Sequence, residues 1–294
     1  MKVLGFGGGN KRTYQSRAVV TGAGSGIGRA FALELARRDG HVVCSDINPE
    51  RAQETVELIN AGGGNAVAHT CDVSDQTQVE DLADAAEDWF DGPADLIINN
   101  AGVGIGGLPV GETPLEDWRW ALGVNLWGVV HGCHVFAPRL RELGRGGLVN
   151  VGSTASFAAA PGMGPYNVSK AAVLALSETL AAELSGSGIA VSVLCPTFVK
   201  TNVARDGRIS GRSSELANTL MKWTGVSAAG VAKTTLDAHD RGRLYVIPQL
   251  DARLIWQLKR HAPVPYTRGL GLINRISGLN APTPTAPLPS NLGG

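Results

Sequence analysis

Tyr166 and Lys170 lie four residues apart in the stretch GLVNVGSTASFAAAPGMGPYNVSK, residues 147–170. On a helix that spacing puts both on one face, one turn apart. An ammonium held beside a phenol favours the phenolate and can bring a tyrosine pKa from about 10 toward neutrality. Such a tyrosine can serve as a general acid/base. Ser153 sits just past a buried-strand pattern (Leu148, Val149, Val151), where its hydroxyl could hydrogen-bond a substrate oxygen. A lone Tyr-x3-Lys is short and common, and alone it would be a surface pair on an ordinary helix. Its meaning depends on the elements that position it.

Those elements start at Arg17-Ala-Val-Val-Thr21, a short β run. It leads into Gly22-Ala-Gly-Ser-Gly-Ile-Gly28 and then a helix from Arg29 to Arg38. Strand, glycine-rich turn and helix in that order form a dinucleotide-binding context. Glycines let the backbone approach a pyrophosphate, and the helix N-terminus supplies N–H donors and the positive end of its dipole. The second strand, His41 to Asp46, ends on a carboxylate near the expected distance of about 20 residues beyond the glycines. Asp46 there can bind both ribose hydroxyls of NAD and would repel the 2′-phosphate of NADP; it could also cap a turn ahead of Asn48-Pro49.

The pattern repeats downstream. A helix (Pro49 to Asn60), a strand (Ala66 to Cys71), a helix capped by Ser74-Asp75 (Gln76 to Phe90) and a strand (Asp95 to Asn99) follow at short intervals. Alternating β and α units of this length call for a parallel sheet with right-handed crossovers and helices on both faces. Ligands on such sheets bind at the carboxyl ends of the strands. Gly28, Asp46, Asp72, Asn99 and Ser153 all fall at or near such ends, and this convergence is the bottom-up argument for a site. A helix from about Pro114 to Leu143 carries Asn125 among large apolar neighbours; a buried Asn needs partners, so it is a structural hydrogen-bonder or part of the site. The Tyr166 helix runs to about Leu184. A strand (Ile189 to Cys195), a polar segment suited to a lid (Asn202 to Val226), a helix (Ser227 to His239) and a short strand (Arg243 to Ile247) complete the series.

Composition bounds the rest. The 294 residues, 44% hydrophobic with Gly 39, suit one large α/β domain or two small ones, rich in tight turns. A net charge of +0 argues against nucleic acid as the main partner. Cys44, Cys71, Cys133 and Cys195 show no metal-ligand spacing and read as reduced core thiols of a cytoplasmic protein. The N-terminal MKVLGFGGGNKR lacks an apolar signal core, and Gly5 to Gly9 lacks a flanking strand and helix, so residues 1–16 read as a flexible arm. Near the other end, Asp251 to Arg260 mixes Leu254, Ile255, Trp256 and Leu258 with Arg253, Lys259 and Arg260. Residues 251–280 could cover a pocket, form a seam between subunits or touch membrane lipid. Residues 281–294 are Pro-rich with almost no core formers and read as disordered.

Together these residues resemble the short-chain dehydrogenases/reductases over roughly Arg17 to Ile247. The match rests on Thr21-Gly22-x3-Gly26-x-Gly28, Asp72-Val73, Asn99-Asn100-Ala101-Gly102, Asn125, Ser153 and Tyr166-x3-Lys170, in family order and spacing. The resemblance implies a Rossmann-type doubly wound parallel sheet of about seven strands in one domain, spanning residues 17–250. It implies that Tyr166 is the acid/base, that Ser153 orients the substrate oxygen, and that Lys170 binds the nicotinamide ribose and lowers the Tyr166 pKa. Asn125 would hold a water in a proton relay with Lys170. Gly22, Ser25, Gly26, Ile27 and Gly28 would surround the pyrophosphate. Asp72 and Val73 would contact adenine, and Asn99, Ala101 and Gly102 would line the adenine-ribose side. Thr201 would meet the carboxamide. One departure is Pro196-Thr197, where the family usually has Pro-Gly.

The expected activity is NAD-dependent interconversion of a secondary alcohol and a ketone. The apolar loop Val103 to Val110 and residues Phe157 to Met163 suggest a bulky hydrophobic substrate such as a steroid, terpenoid or lipid-derived alcohol. The alternatives are an NADPH-dependent carbonyl or 3-oxoacyl reductase, against which Asp46 speaks, and a nucleotide-sensing scaffold. A scaffold would be expected to lack Ser153, Tyr166 or Lys170, and all three are present. The family also implies a homodimer or homotetramer built on the two long helices.

Overall fold

The structure is a computed structural model and describes residues 11–197, 199, 207–209 and 226–277. Thr201, most of the expected lid, the glycine arm before residue 11 and the Pro-rich tail lie outside the described residues.

Runs of β-branched and aliphatic residues form β1 (Arg17–Thr21), β2 (His41–Asp46), β3 (Asn65–Thr70), β4 (Leu96–Asn99), β6 (Gly146–Val151) and β7 (Ile189–Leu194). With the two-residue β9 (Tyr245–Val246) they make one seven-stranded sheet in the order β3-β2-β1-β4-β6-β7-β9. Every pairing is parallel, as in Val19↔Val43 and Val19↔Ile97. The strand order reverses between β1 and β4, which opens a crevice at their carboxyl ends.

Successive side chains of a strand point to opposite faces, and two cores result. Ala18 and Val20 pack with Phe31 and Leu35 of α1 (Gly26–Ala36), Val56 and Ile59 of α2 (Pro49–Ala61), and Val231 and Leu236 of α8 (Ala228–Asp240). Val19 and Ile97 pack with Leu82 of α3 (Gln76–Phe90), Phe136 and Leu140 of α5 (Gly128–Leu143), and Val173 and Leu180 of α7 (Gly164–Glu183). Asn48, Asp75 and Ser227 cap α2, α3 and α8 by accepting backbone N–H bonds. Ahead of β1, the Thr13 amide and hydroxyl donate to Asp240. Buried Arg38 donates to Glu34, Asp237 and Thr13.

The structure corrects the sequence reading in four places. The helix expected over Pro114 to Leu143 is two helices, α4 (Leu115–Leu122) and α5, joined by a π-helical turn, Gly123–Trp127. The extra residue in that turn lets fully buried Asn125 reach the Val103 backbone, which a continuous α-helix would not require. The last strand shrinks from five residues to two. The loop after β4 contains β5 (Ile105–Gly106), paired with β8 (Arg208–Ile209) in a second, two-stranded sheet. The fourth difference is a short helix that the sequence left unassigned, α6 (Ala155–Ala158) after Ser153; the amphipathic extension itself continues into α10 (Pro263–Ser277).

The amphipathic segment forms α9 (Leu250–His261). Its Ala252 is fully buried beside Val193 and Ile247, and Trp256 packs against Tyr245 and Phe157.

Candidate active site

The carboxyl end of β6 and the first turns of α7 bring Ser153, Tyr166 and Lys170 together. Ser153 follows β6 by two residues. Its hydroxyl accepts the Ala155 amide, and its own amide donates to Ser156 Oγ, which in turn donates to the Lys170 carbonyl. This short relay ties the Ser153 turn to α7. The Ser153 hydroxyl also lies close enough to the Tyr166 phenol to favour its ionised form. Lys170 is buried, and its Nζ donates to the Val151 carbonyl at 2.9 Å. Asn125 comes close from the π turn: a Cβ built on Gly102 would lie 2.9 Å from Asn125 Oδ1 and 3.5 Å from Lys170 Nζ.

One electrostatic expectation is reversed. Desolvation raises the Tyr166 pKa above 10, and the nearby Ser153 hydroxyl offsets it in part. Lys170 does not drive the phenol down, because its ammonium turns to the β6 carbonyl and stands 5.9 Å from the Tyr166 ring centroid. Burial instead lowers Lys170 itself to about 8. In this state Tyr166 keeps its proton at neutral pH and is set to donate it.

Asn125 is held at both ends of its amide: Oδ1 accepts from the Val103 N–H at 2.7 Å, and Nδ2 donates to the Val103 carbonyl at 2.9 Å. Each end keeps one further hydrogen-bonding position, a second lone pair on Oδ1 and a second N–H on Nδ2, that a water could use. The π turn also offers backbone, since an i→i+5 step breaks the regular ladder of carbonyls.

The glycine-rich turn is shaped to receive a dinucleotide. Gly22 and Gly26 hold positive φ, +64° and +56°. A Cβ on Gly28 would lie 2.0 Å from the Gly22 carbonyl oxygen, and one on Gly24 would lie 2.7 Å from Asp46 Oδ2. Ser25 is the N-cap of α1 but makes no side-chain cap bond, and the first turn holds no acidic residue. The first amides of α1 are thus left for an anion. Asp46 closes the other side: Oδ2 accepts from the Gly24 amide at 2.9 Å and Oδ1 from the Asn48 amide at 3.0 Å. The residues present fit a nicotinamide dinucleotide on these grounds. Gly28→Ala should force the turn open, cost about 1–3 kcal/mol of stability as overpacking does, and abolish dinucleotide binding measured by calorimetry. An alanine variant with normal binding would show that the turn is not the cradle.

Other expected contacts are distributed differently. Asn99 points its side chain into the core, donating to Asn150 Oδ1 at 2.8 Å, so it can line a ligand only with its backbone. The tie to the glycine turn comes from Asn100, whose Nδ2 donates to the Thr21 and Gly22 carbonyls. Sequence reasoning placed the motif but not this exchange of roles; strand alternation was the signal that could have found it. The Thr21 hydroxyl accepts the amides of Asn100 and Ala101. Asp72 Oδ1 accepts from Ser74, Val73 is buried against Gly128, and Ile27 packs on the α1 side of the sheet.

At the departure from the family pattern, the Thr197 amide donates to Gln249 Oε1 at 3.3 Å. Thr197 Oγ1, Gln249 Nε2 and Thr154 Oγ1 are buried and have no hydrogen-bond partner among the described residues. Thr154 adjoins Ser153, and its amide donates to the Pro196 carbonyl. The side chain at 197 thus adds polar atoms to the floor beside Ser153. A cavity of about 280 Å³ is lined by Ile105, Leu108, Pro114 and Pro165, the residue before Tyr166, together with Asp117 and Arg208, which form an ion pair.

A single parallel sheet with its order reversed beside a glycine-rich turn defines a Rossmann-type dinucleotide fold, and Ser153, Tyr166 and Lys170 at its carboxyl edge narrow the class further. The family model for short chain dehydrogenase matches residues 16–209, and the chain belongs to that family. It is similar to 1-deoxy-11-beta-hydroxypentalenate dehydrogenase of Streptomyces exfoliatus, 37% identical over 258 residues, which cover 84% of this chain and 90% of the relative. The probable oxidoreductase EphD of Mycobacterium tuberculosis is 43% identical over 185 residues, or 63% of this chain; the match spans 31% of that longer protein. Among solved structures, a short chain dehydrogenase/reductase from Burkholderia phymatum in complex with NAD has a TM-score of 0.80 and 33% identity. That likeness covers 94% of this chain and 99% of the other.

Proposed function

We propose that the chain interconverts a secondary alcohol and a ketone on a bulky, terpenoid-like substrate, using NAD. The observation that carries the reading is the meeting of Ser153, Tyr166 and Lys170 at the carboxyl end of β6. Family membership and the pentalenate-type relative support the substrate class. The bound nicotinamide would supply or accept the hydride. Gly22 to Gly28 would hold the pyrophosphate, Asp46 the adenosine ribose, and Lys170 the other ribose. Ser153 would hold the substrate oxygen by hydrogen bond, and Tyr166 would give it a proton in reduction and take one in oxidation. Positioned groups of this kind supply most of their effect through orientation and fixed dipoles. The apolar residues of the cavity that reaches Pro165 (Ile105, Leu108, Pro114) would take the hydrocarbon body and exclude water from it.

Asp46 supports NAD over NADP, because a carboxylate already holding two backbone amides has no cation to offer a 2′-phosphate. Initial rates with NAD and NADP over a panel of terpenoid and steroid alcohols test both halves of the reading. Asp46→Ser should lower kcat/KM for NAD by roughly 10–100-fold, since hydrogen bonds to a charged group are worth about 1.5–3 kcal/mol. The rate with NADP should not fall in parallel. Equal rates with both cofactors in the unaltered protein would reduce Asp46 to a turn-forming residue and favour a carbonyl reductase.

A further inference from the structure

Helices α9 and α10 present apolar side chains that their own domain leaves uncovered. On α9, Ala252 and Trp256 face the sheet, while Leu250, Leu254 and Leu258, spaced four apart, line the opposite face. Leu254 is 70% exposed. On α10, Leu272, Ile273 and Ile276 are exposed, Ile276 at 77%, and a Cβ added to Gly269 or Gly271 would meet nothing. Large contiguous apolar surface of this sort marks an interaction site.

Charge indicates the occupant. Residues 250–277 hold Arg253, Lys259, Arg260, Arg268 and Arg275 against Asp251 alone, an excess of four positive charges in a chain whose total is +0. A helix wheel puts Arg268 and Arg275 together beside the Leu272 and Ile276 stripe of α10, and Arg253 and Arg260 beside the leucine stripe of α9. An apolar stripe bordered by cations is the pattern of a helix lying in a lipid interface. A seam between two copies would bring the like charges of both together.

We propose that α9 and α10 dock the enzyme on an anionic lipid surface. The docking face adjoins the catalytic edge: Tyr266 of α10 donates its hydroxyl to the Ala158 carbonyl of α6 at 2.9 Å, and α6 begins two residues after Ser153. An enzyme so held would open toward apolar molecules dissolved in the bilayer.

Sedimentation of the full chain with vesicles tests this. With phosphatidylcholine vesicles containing about a third phosphatidylglycerol, the partition coefficient should be at least tenfold higher than with phosphatidylcholine alone, and should fall as salt rises. L254E/I276E should abolish binding, and R268Q/R275Q should reduce the anionic preference by about tenfold or more. Both pairs should leave kcat on a water-soluble alcohol unchanged, since none of the four residues belongs to the site. Equal partition into both vesicle types, or none into either, would overturn the proposal. So would sedimentation velocity showing an oligomer that L254E/I276E splits, which would make this face a seam between copies.

Discussion

Tyr166→Phe is expected to lower kcat by roughly 10²–10⁴-fold while the protein still folds and binds NAD with unchanged affinity, because a positioned general acid/base contributes about that much. The phenylalanine ring keeps the packing of α7 and removes one oxygen. Among the described residues nothing is placed to replace it: the Lys170 ammonium donates to the Val151 carbonyl, and the Ser153 hydroxyl accepts the Ala155 amide. Ser153→Ala should cost less, on the order of 10–100-fold, the loss of one hydrogen bond to a developing charge. Steady-state rates measured beside cofactor titrations separate the two effects. A Phe variant with full kcat would remove Tyr166 from the chemistry. One with normal kcat and poor NAD binding would make it a cofactor ligand only.

Alkaline solution near pH 10 should destabilise the fold through its buried thiols. All four cysteines are buried thiols. Desolvation raises Cys44 and Cys195 from 9.0 to about 12, and Cys71 and Cys133 to about 11. Above pH 9 the unfolded chain releases these protons and the native state keeps them, so stability falls as pH rises. At pH 10 each thiol costs between about 1 and 2 kcal/mol, or roughly 6 kcal/mol for the four. Lys170 acts in the opposite sense. Its native pKa of about 8 lies below the ordinary 10.5, so between those values the native state binds fewer protons and gains stability, by about 2–3 kcal/mol at pH 10. The net loss is about 3 kcal/mol, a large share of the 5–15 kcal/mol that holds a typical domain. Urea midpoints measured from neutral pH to about pH 10 should fall, and Cys44→Ala should flatten the curve by one thiol's part. A midpoint that holds level or rises would mean that the thiols are far less desolvated than their burial indicates.

Much of this architecture was legible from local pattern. Continuous runs such as Ala18-Val-Val20 and Leu96-Ile-Ile98 can only be strands covered on both faces, and the glycines between β1 and α1 fix the turn. Tertiary demands hid the rest. The π turn at Asn125 inserts a single residue, and the spacing of Val124, Leu126 and Trp127 reads equally well as α-helix. The pairing of β5 with β8 joins two residues to two others about a hundred positions away, with no periodicity to reveal it. In α10 the prolines at 263 and 265 and the glycines at 269 and 271 argue against the helix that forms. The Tyr166 shift was misjudged because spacing along a helix says which residues share a face, not which way an ammonium turns. Burial of the phenol decided it, with the Lys170 ammonium turned to a strand-end carbonyl. At Asn99 the strand-end position points to the crevice, while strand alternation sends the side chain inward to Asn150 and leaves the backbone to line a ligand.

The cluster around Arg38 sets a schedule for synthesis. Of its carboxylate partners, Glu34 precedes it, but Asp237 lies 199 residues further along, and Thr13 waits for Asp240 across 227. At about 5–20 residues per second, a ribosome needs roughly 10–40 s to supply them. Through that interval the α1 face that α8 will cover stays bare, and the guanidinium that will be sealed in stays in water. The first helix made is therefore among the last to be covered. A chain arrested anywhere before residue 228 would show chaperones and proteases the same unfinished edge.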